Sequence, residues 1–197
     1  GWVQKGLVLA GEGPEDSFGK TVAVSSDGTR LAVGSPDFDS GRGKVSIYRW
    51  NTKRDYWERM NPTAPSLFEG DKVAGDCSNR ALFGISLSMA SDGKSFVVGA
   101  PFNEDYYCQR QEGVIRYFYE DSGGTWSKLG RDYEWSTLDD DGNGSPNEID
   151  SGFTGNFGFY LALSGDGRTI AAGTSGGSSG RVYLLHYNRC SVCSTPL

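Results

Sequence analysis

The residues best suited to chemistry lie in one short acidic segment, residues 139–150. Side-chain oxygens recur there at the first, third, fifth, ninth and twelfth positions, and Gly144 lies sixth, where a tight loop must turn. Calcium takes about six to eight hard oxygen ligands, and alternate side chains on such a loop converge on one point. The spacing therefore predicts a calcium site to which Ser145 adds its backbone carbonyl. The predicted side-chain ligands are Asp139, Asp141, Asn143, Asn147 and Asp150.

The ligand spacing resembles the calcium loop of EF-hands, and Asp150 at the last position, in place of Glu, resembles the loops of dockerins. No helical pattern flanks the segment, so we expect a calcium clip within a loop. The alternative is a solvated acidic loop that holds no ion. Asn143 also begins an N-glycosylation sequon, but Pro146 disfavours the sugar and a glycan would compete with the metal, so we favour calcium.

Catalytic groups are scarce in this sequence. The single histidine, His186, lies in a predicted strand where a surface position is expected, and a Ser/His/Asp or Cys/His nucleophilic site would have to use it. The acidic pairs Glu15–Asp16 and Glu104–Asp105 could mimic the two carboxylates of a glycosidase. Adjacent acids on loops are usually only solvated, so we expect that the protein is not an enzyme.

The cysteines favour an oxidising compartment. Four cysteines with few lysines are typical of a secreted module, and the alternative is four reduced, buried thiols. Cys190 and Cys193 form either a local bridge or the start of a cysteine-rich module; one histidine makes zinc a poor interpretation, and no βαβ pattern supports a redox motif. The chain begins Gly1-Trp2 without a signal-peptide pattern, which we interpret as a processed or excised piece.

Composition narrows both the partners and the fold. A net charge of −6 and a pI near 4.8 argue against a nucleic-acid footprint and a polybasic membrane patch. Apolar runs are only a few residues long, so membrane insertion is not expected. Glycine supplies 29 of the 197 residues and aromatic residues 13%, which favours short strands joined by glycine turns over helices.

Three copies of one pattern organise the chain. Each copy runs from a Phe-Gly pair through an alternating strand, an Asp-Gly turn and a second strand to an exit glycine, 16 residues after the phenylalanine. The copies start 65 and 74 residues apart, so the core is constant and the loops vary. Self-similarity at such a period indicates a propeller, solenoid or array. The paired residues are Phe18 and Gly34, Phe83 and Gly99, and Phe157 and Gly173.

Two further strands complete each copy. A third strand follows Gly43, Gly113 and Gly180, and a tryptophan-led fourth strand begins at Trp2, Trp57 and Trp126. Four strands joined as a meander make a propeller blade. The sequence therefore predicts an all-β chain of three four-stranded antiparallel blades, forming part of a larger propeller or filament. We assign one domain, 1–197, with repeats at about 2–50, 57–120 and 126–188 and a cysteine-containing tail at 189–197.

The Phe-Gly start and the Val-Gly-Ala-Pro type of exit resemble the FG-GAP repeat of integrin α-subunit β-propellers and related extracellular proteins. The short Asp-Gly turn and the tryptophan-led strand look more like the FG-GAP arrays of microbial and algal surface proteins. In the integrin-type repeat a calcium loop lies where this chain has only Ser25–Gly28 and its counterparts, so those calcium sites do not carry over. The exit proline is present as Pro36 and Pro101, but Ser175 stands in the third copy, which predicts a less regular third blade.

Blade geometry makes further predictions. The loops that carry Cys77 and Cys108 emerge on the same rim of an antiparallel meander, so we predict a disulfide between them. The repeat phenylalanines are expected to pack between blades. Aromatic residues of the loop 102–107 either stack on sugars or anchor the loop.

These observations predict an extracellular, cell-surface or secreted module with a structural or adhesive role; the alternative is a carbohydrate-binding or accessory module of a secreted hydrolase. Expected partners are other copies of the chain or other extracellular proteins, with glycans as a further option. Three blades are too few for an ordinary closed propeller. We therefore expect Trp2–Gly6 of one molecule to pair beside Gly180–Asn188 of the next molecule, giving a six-bladed dimer or a filament. Further repeats outside the 197 residues are the alternative.

Overall fold

The structure is a computed structural model, and it describes residues 1–60, 67–70, 80–103, 113–130, 132–134, 156–174 and 180–187. The predicted calcium loop, 139–150, and all four cysteines lie outside these ranges. The calcium site and the Cys77–Cys108 disulfide therefore remain predictions.

The first sheet is a four-stranded antiparallel meander in the order β1-β2-β3-β4. A short helical turn, α1 (Phe38–Gly41), connects its second and third strands. The exit residues Gly34 and Ser35 pair with Val45 and Lys44, so the register runs to the end of the strand. Its strands are β1 (Thr21–Val24), β2 (Arg30–Ser35), β3 (Lys44–Asn51) and β4 (Tyr56–Met60).

The second sheet repeats this meander as β5-β6-β7-β8, and a short strand, β9, also pairs with β7. The third sheet has three described strands in the order β10-β11-β12. The second sheet contains β5 (Ser86–Met89), β6 (Ser95–Ala100), β7 (Val114–Glu120), β8 (Trp126–Lys128) and β9 (Tyr133–Glu134). The third contains β10 (Tyr160–Leu163), β11 (Thr169–Thr174) and β12 (Arg181–His186).

The first turn of each sheet follows the Asp-Gly signal. Gly28, Gly93 and Gly167 have φ values of 66°, 68° and 72°, a region that glycine enters without strain. Asp27 accepts hydrogen bonds from the Ser25 hydroxyl at 2.6 Å and the Thr29 amide at 2.9 Å. These bonds lower the pKa of Asp27 to about 2. The turn carboxylate therefore braces the hairpin.

The core lies between the sheets. We call the side of a sheet that faces the next sheet in chain order its leading face, and the opposite side its trailing face. The leading face of the first sheet packs on the trailing face of the second through Ile47, Val98 and Phe118, among others. The leading face of the second packs on the third through Val97 and Ile115. Each of these two interfaces is called a joint below.

The prediction of an all-β chain of antiparallel meanders is confirmed. A closed propeller is not formed by the described sheets. The described residues 1–20 contain no strand, so the fourth strand predicted at Trp2–Gly6 does not form within the single chain. A strand needs a neighbouring strand to pair its backbone hydrogen-bonding groups, and the neighbour expected for this segment, Gly180–Asn188, belongs to a second molecule.

Candidate assembly site: two buried joints and two open faces

The exit glycines make the two joints possible. A β-carbon on Gly34 would fall far inside contact distance of the Gly84 carbonyl oxygen, and one on Gly99 would do the same to the Gly158 carbonyl. The Thr21 hydroxyl donates to the Gly84 carbonyl at 2.6 Å. The corresponding hydroxyl in the second sheet, on Ser86, donates to the Gly158 carbonyl. Each joint therefore brings the backbone of one sheet against the Phe-Gly pair of the next.

In each joint, a second glycine packs against the phenylalanine of the same Phe-Gly pair. Gly43 and Gly113 have φ values of 85° and 71° and lie against the backbones of Phe83 and Phe157 respectively. Gly43 and Phe83 form an isolated parallel bridge. Both phenylalanine side chains are completely buried. The prediction that the repeat phenylalanines pack between blades is thus confirmed for the second and third copies.

Corresponding turns are linked in series along one rim. The Ser26 amide donates to the Ser91 carbonyl at 2.9 Å, and the Ser91 amide donates to the Gly165 carbonyl at 2.9 Å. These three residues occupy the same position in their copies. Tyr117 adds a bond across the second joint, because its hydroxyl donates to the Gly167 carbonyl at 2.8 Å. Burial raises the pKa of Tyr117 above the ordinary tyrosine value, so this donor stays protonated well above neutral pH.

Two partly buried ion pairs stabilise the middle of the molecule. The Arg30 guanidinium of the first sheet lies 3.0 Å, from Nη2 to Oε2, from the Glu120 carboxylate of the second. Arg116 donates to Asp132 at 2.9 Å through Nε and stacks over the Phe83 ring at 5.4 Å. Burial raises the pKa of Asp132, but hydrogen bonds from Arg116 and Lys128 outweigh it, so the pKa stays below its usual value. These charges in the joints are therefore paired.

The leading face of the third sheet is open. Among the described residues, the atoms nearest to a β-carbon on its exit glycine, Gly173, all belong to Tyr160 of its own sheet, with 3.3 Å between the two β-carbons. Gly180, the counterpart of Gly43 and Gly113, approaches only Thr174 of its own sheet. Val182 and Leu184 point from this face and are 74% and 72% exposed. The receiving half of a joint is present here without an incoming Phe-Gly pair among the described residues.

The trailing face of the first sheet presents the other half. Val22 and Val24 are 62% and 59% exposed, whereas their counterparts in the second sheet, Leu87 and Met89, pack in the core. Phe18 lies 6.4 Å from the Tyr48 ring and is only partly buried. A β-carbon on Gly19 would meet nothing within 4 Å. An unmatched Phe-Gly pair therefore stands at this end.

The N-terminal segment lies beside that face. The Lys5 ammonium is 4.8 Å from the centre of the Trp50 ring and donates to the Gly28 carbonyl at 2.7 Å. The Trp57 indole donates to the Lys5 carbonyl at 3.1 Å. Trp2 is fully exposed. The segment is thus held against the first sheet at Lys5, whereas the Trp2 side chain packs against none of the described residues.

Few of the predicted site residues can be compared with the structure. His186 is an exposed strand residue as predicted, and its Nδ1 lies 3.0 Å from the Thr169 hydroxyl. Asp16 accepts a hydrogen bond from the Gly13 amide at 2.8 Å, which is a loop-bracing role. Phe102 packs edge-on against Phe159, as expected of a loop anchor. Glu104–Asp105 and the calcium ligands lie outside the described residues, and the described ones contain no metal-holding cluster of His, Cys, Asp or Glu.

The sequence did not reveal the role of the exit glycines. Their constant 16-residue distance from the phenylalanine was visible, and so were the small hydroxyl residues Thr21 and Ser86 at one position. In the third copy that position holds Tyr160, which marked the open end of the series. The repeat therefore carried the signal, but its steric meaning required the packing of two sheets.

Comparison with known proteins adds no assignment, because neither a family model nor a curated protein matches this chain. In the described part of the chain, no helix is long and apolar enough to cross a membrane.

Proposed function

We propose that this chain is a structural or adhesive module that acts by protein–protein assembly through its two end sheets. The supporting observation is that the open leading face and the open trailing face are the two halves of a joint already formed twice within the chain. Packing the third sheet of one copy on the first sheet of another would cover Val182, Leu184, Val22 and Val24. Exposed apolar faces of this kind are typical of interaction sites.

The wider setting is also proposed. We propose a member of the FG-GAP type of β-propeller repeat, placed outside the cell, with calcium bound by the loop 139–150. The three-fold Phe-Gly pattern supports the first proposal, and the cysteine usage and the ligand spacing support the other two. In this account calcium orders a loop between the second and third sheets, and assembly is the activity.

Sedimentation velocity tests the proposal over a wide range of protein concentration. The wild-type chain should associate as its concentration rises. Leu184→Asp should stay monomeric, because a charge in a buried apolar face loses its hydration. Lys53→Asp, on an exposed turn of the first sheet, is the matched control and should associate like the wild type. A wild-type chain that stays monomeric throughout, or a Leu184→Asp chain that associates normally, would refute assembly through these faces.

A further inference from the structure

The outer edge of β12 is where the third sheet differs most from the other two. In the first sheet Trp57 pairs with Trp50, and in the second Trp126 pairs with Glu120. The corresponding residue of the third sheet is Tyr187. Trp50, Glu120 and Tyr187 each donate their amide to the first residue after the Asp-Gly turn, at 2.8 Å in all three sheets. A fourth strand on β12 would therefore begin opposite Tyr187.

A cavity lies at the position that the tryptophan of such a strand would occupy. Trp126 is 4% exposed, and its ring lies 5.3 Å from the Phe96 ring on the trailing face of the second sheet. The residues at the positions of Phe96 and Phe118 in the third sheet are Ile170 and Leu185. These two line a cavity of about 230 Å³, which is also bounded by Tyr117 and Leu129 of the second sheet. Its walls are mainly apolar or aromatic, which suits an indole ring.

The N-terminal segment has the same residue spacing as residues 126–130, which contain β8, the fourth strand of the second sheet. Trp2 precedes Gly6 by four residues, as Trp126 precedes Gly130, and the two glycines have φ values of 76° and 67°. Lys5 corresponds to Leu129. Lys5 contacts Trp50 of the first sheet, and Leu129 lines a cavity together with Tyr187 of the third sheet, which is the counterpart of Trp50. Lys5 and Leu129 therefore lie at equivalent positions, each against the sheet that follows it in the chain.

Residues 2–6 therefore lie against the first sheet in the way that the fourth strand of a preceding sheet would. In a head-to-tail pair of molecules, that preceding sheet is the third sheet of the other molecule. Trp2 and Val3 are almost fully exposed in the single chain, and the cavity beside β12 is vacant of any described side chain. One copy thus carries the strand and the other carries the edge and the cavity.

We propose that the edge of β12 and the cavity behind it form a binding site for the segment Trp2–Gly6 of a second copy. The segment adds to the third sheet as its fourth strand, and the Trp2 indole fills the cavity lined by Ile170 and Leu185. Main-chain hydrogen bonds supply affinity in this mode of recognition, and the side-chain pocket supplies specificity. The inference rests on the proposed assembly role and names the contact that closes the joint.

A peptide-binding experiment tests the site separately from assembly. The receptor is the full chain with Trp2→Ala and Val24→Asp, which removes its own indole and blocks the trailing face. The probe is a fluorescently labelled peptide with the sequence of residues 1–10, and binding is followed by fluorescence polarisation. We expect saturable binding, and a peptide with alanine at the tryptophan position should bind at least about 30-fold more weakly, as for a buried aromatic anchor. Leu129→Glu in the receptor should weaken binding to a similar extent.

Three results with the full-length receptor would overturn the proposal. They are the absence of binding, equal binding of the tryptophan and alanine peptides, and binding that is unchanged by Leu129→Glu. Binding that appears only after residues 188–197 are deleted would make the chain's own tail the occupant, which also overturns it. Peptide binding as expected, together with a Leu184→Asp chain that associates normally, would retain the site and refute assembly through the end faces, so the two proposals can fail independently.

Discussion

The second joint and the open leading face of the third sheet are built from the same repeat, yet they have opposite environments. Gly99 lies against the Gly158 carbonyl and Gly113 against the backbone of Phe157, whereas the nearest described atoms at Gly173 and Gly180 belong to their own sheet. The sequence pattern is nearly the same in both regions. The difference teaches that the repeat encodes half of an interface on each face, and that burial depends on whether a neighbouring sheet is present.

The first joint and the open trailing face of the first sheet show the same contrast. Phe83 is completely buried and packs against Phe118, while Phe18 packs against Tyr48 and remains partly exposed. Ring contacts with the residue's own sheet are thus retained at the open end, and contacts with a preceding sheet are missing among the described residues. The predictions below use such matched pairs to test whether the joints and the open faces differ as the structure indicates.

The largest effect is expected from removing a joint phenylalanine. Phe83→Ala should lower the free energy of unfolding by about 3–5 kcal/mol, because it leaves a cavity in a closed core. Phe18→Ala should cost only about 1 kcal/mol, because the side chain is partly exposed already. Urea unfolding followed by tryptophan fluorescence measures both values. Equal losses in the two variants would show that Phe18 is buried in the isolated chain, against the structure.

A β-carbon at the exit glycine gives the next largest contrast. Gly99→Ala should destabilise the chain by about 3 kcal/mol, since the new methyl group collides with a backbone carbonyl that cannot rotate away. Gly173→Ala should change stability by less than about 0.5 kcal/mol, because only the exposed Tyr160 must shift. Thermal unfolding followed by circular dichroism compares the two. A Gly99→Ala chain as stable as the wild type would contradict the close approach at the joint.

Calcium should stabilise the chain without altering the contrast between joints and faces. If the loop 139–150 binds calcium, a free concentration 100 times the dissociation constant adds about 2.7 kcal/mol to stability. Isothermal titration calorimetry should show saturable binding to the wild type and none to Asp141→Ala. Flat traces for both chains would leave an acidic loop without an ion.

Acid should weaken the first joint through Asp132. Its folded-state pKa lies below the usual value, so its contribution is complete above the unfolded pKa of about 4 and is lost as the pH falls through the folded pKa. Asp132→Asn should remove about 2 kcal/mol at pH 7, because Arg116 loses its charged acceptor. The variant should also lose less stability than the wild type between pH 5 and pH 2, in urea titrations at each pH.

Asp27 provides the matched comparison for that prediction. Its carboxylate is exposed on a turn of the first sheet, and its pKa of about 2 comes from the Ser25 and Thr29 hydrogen bonds. Asp27→Asn should therefore affect stability less than Asp132→Asn at neutral pH. A larger effect for Asp27→Asn would mean that the turns, and not the joints, carry the acid sensitivity.

The sequence predicted the strands well because their signals are local. The Asp-Gly turns required positive φ, and the alternating segments between them formed the expected hairpins at β1-β2, β5-β6 and β10-β11. Strand β9 was missed, since Tyr133–Glu134 is too short to show alternation and its position depends on pairing with β7. The cavity beside β12 could not be predicted either, because it arises where two sheets meet at an edge that pairs with no other described strand.

The central claim is that the open faces at the two ends are complementary halves of one joint. Sedimentation velocity on a mixture tests it most directly, using Val24→Asp, which blocks the trailing face, and Leu184→Asp, which blocks the leading face. Each variant alone should be monomeric, because the only pairing left open to it needs a face that it lacks. Mixed in equal amounts they should form a one-to-one dimer and nothing larger, since Leu184 of the first chain and Val24 of the second are intact. A mixture that stays monomeric, or a single variant that dimerises alone, would contradict the claim.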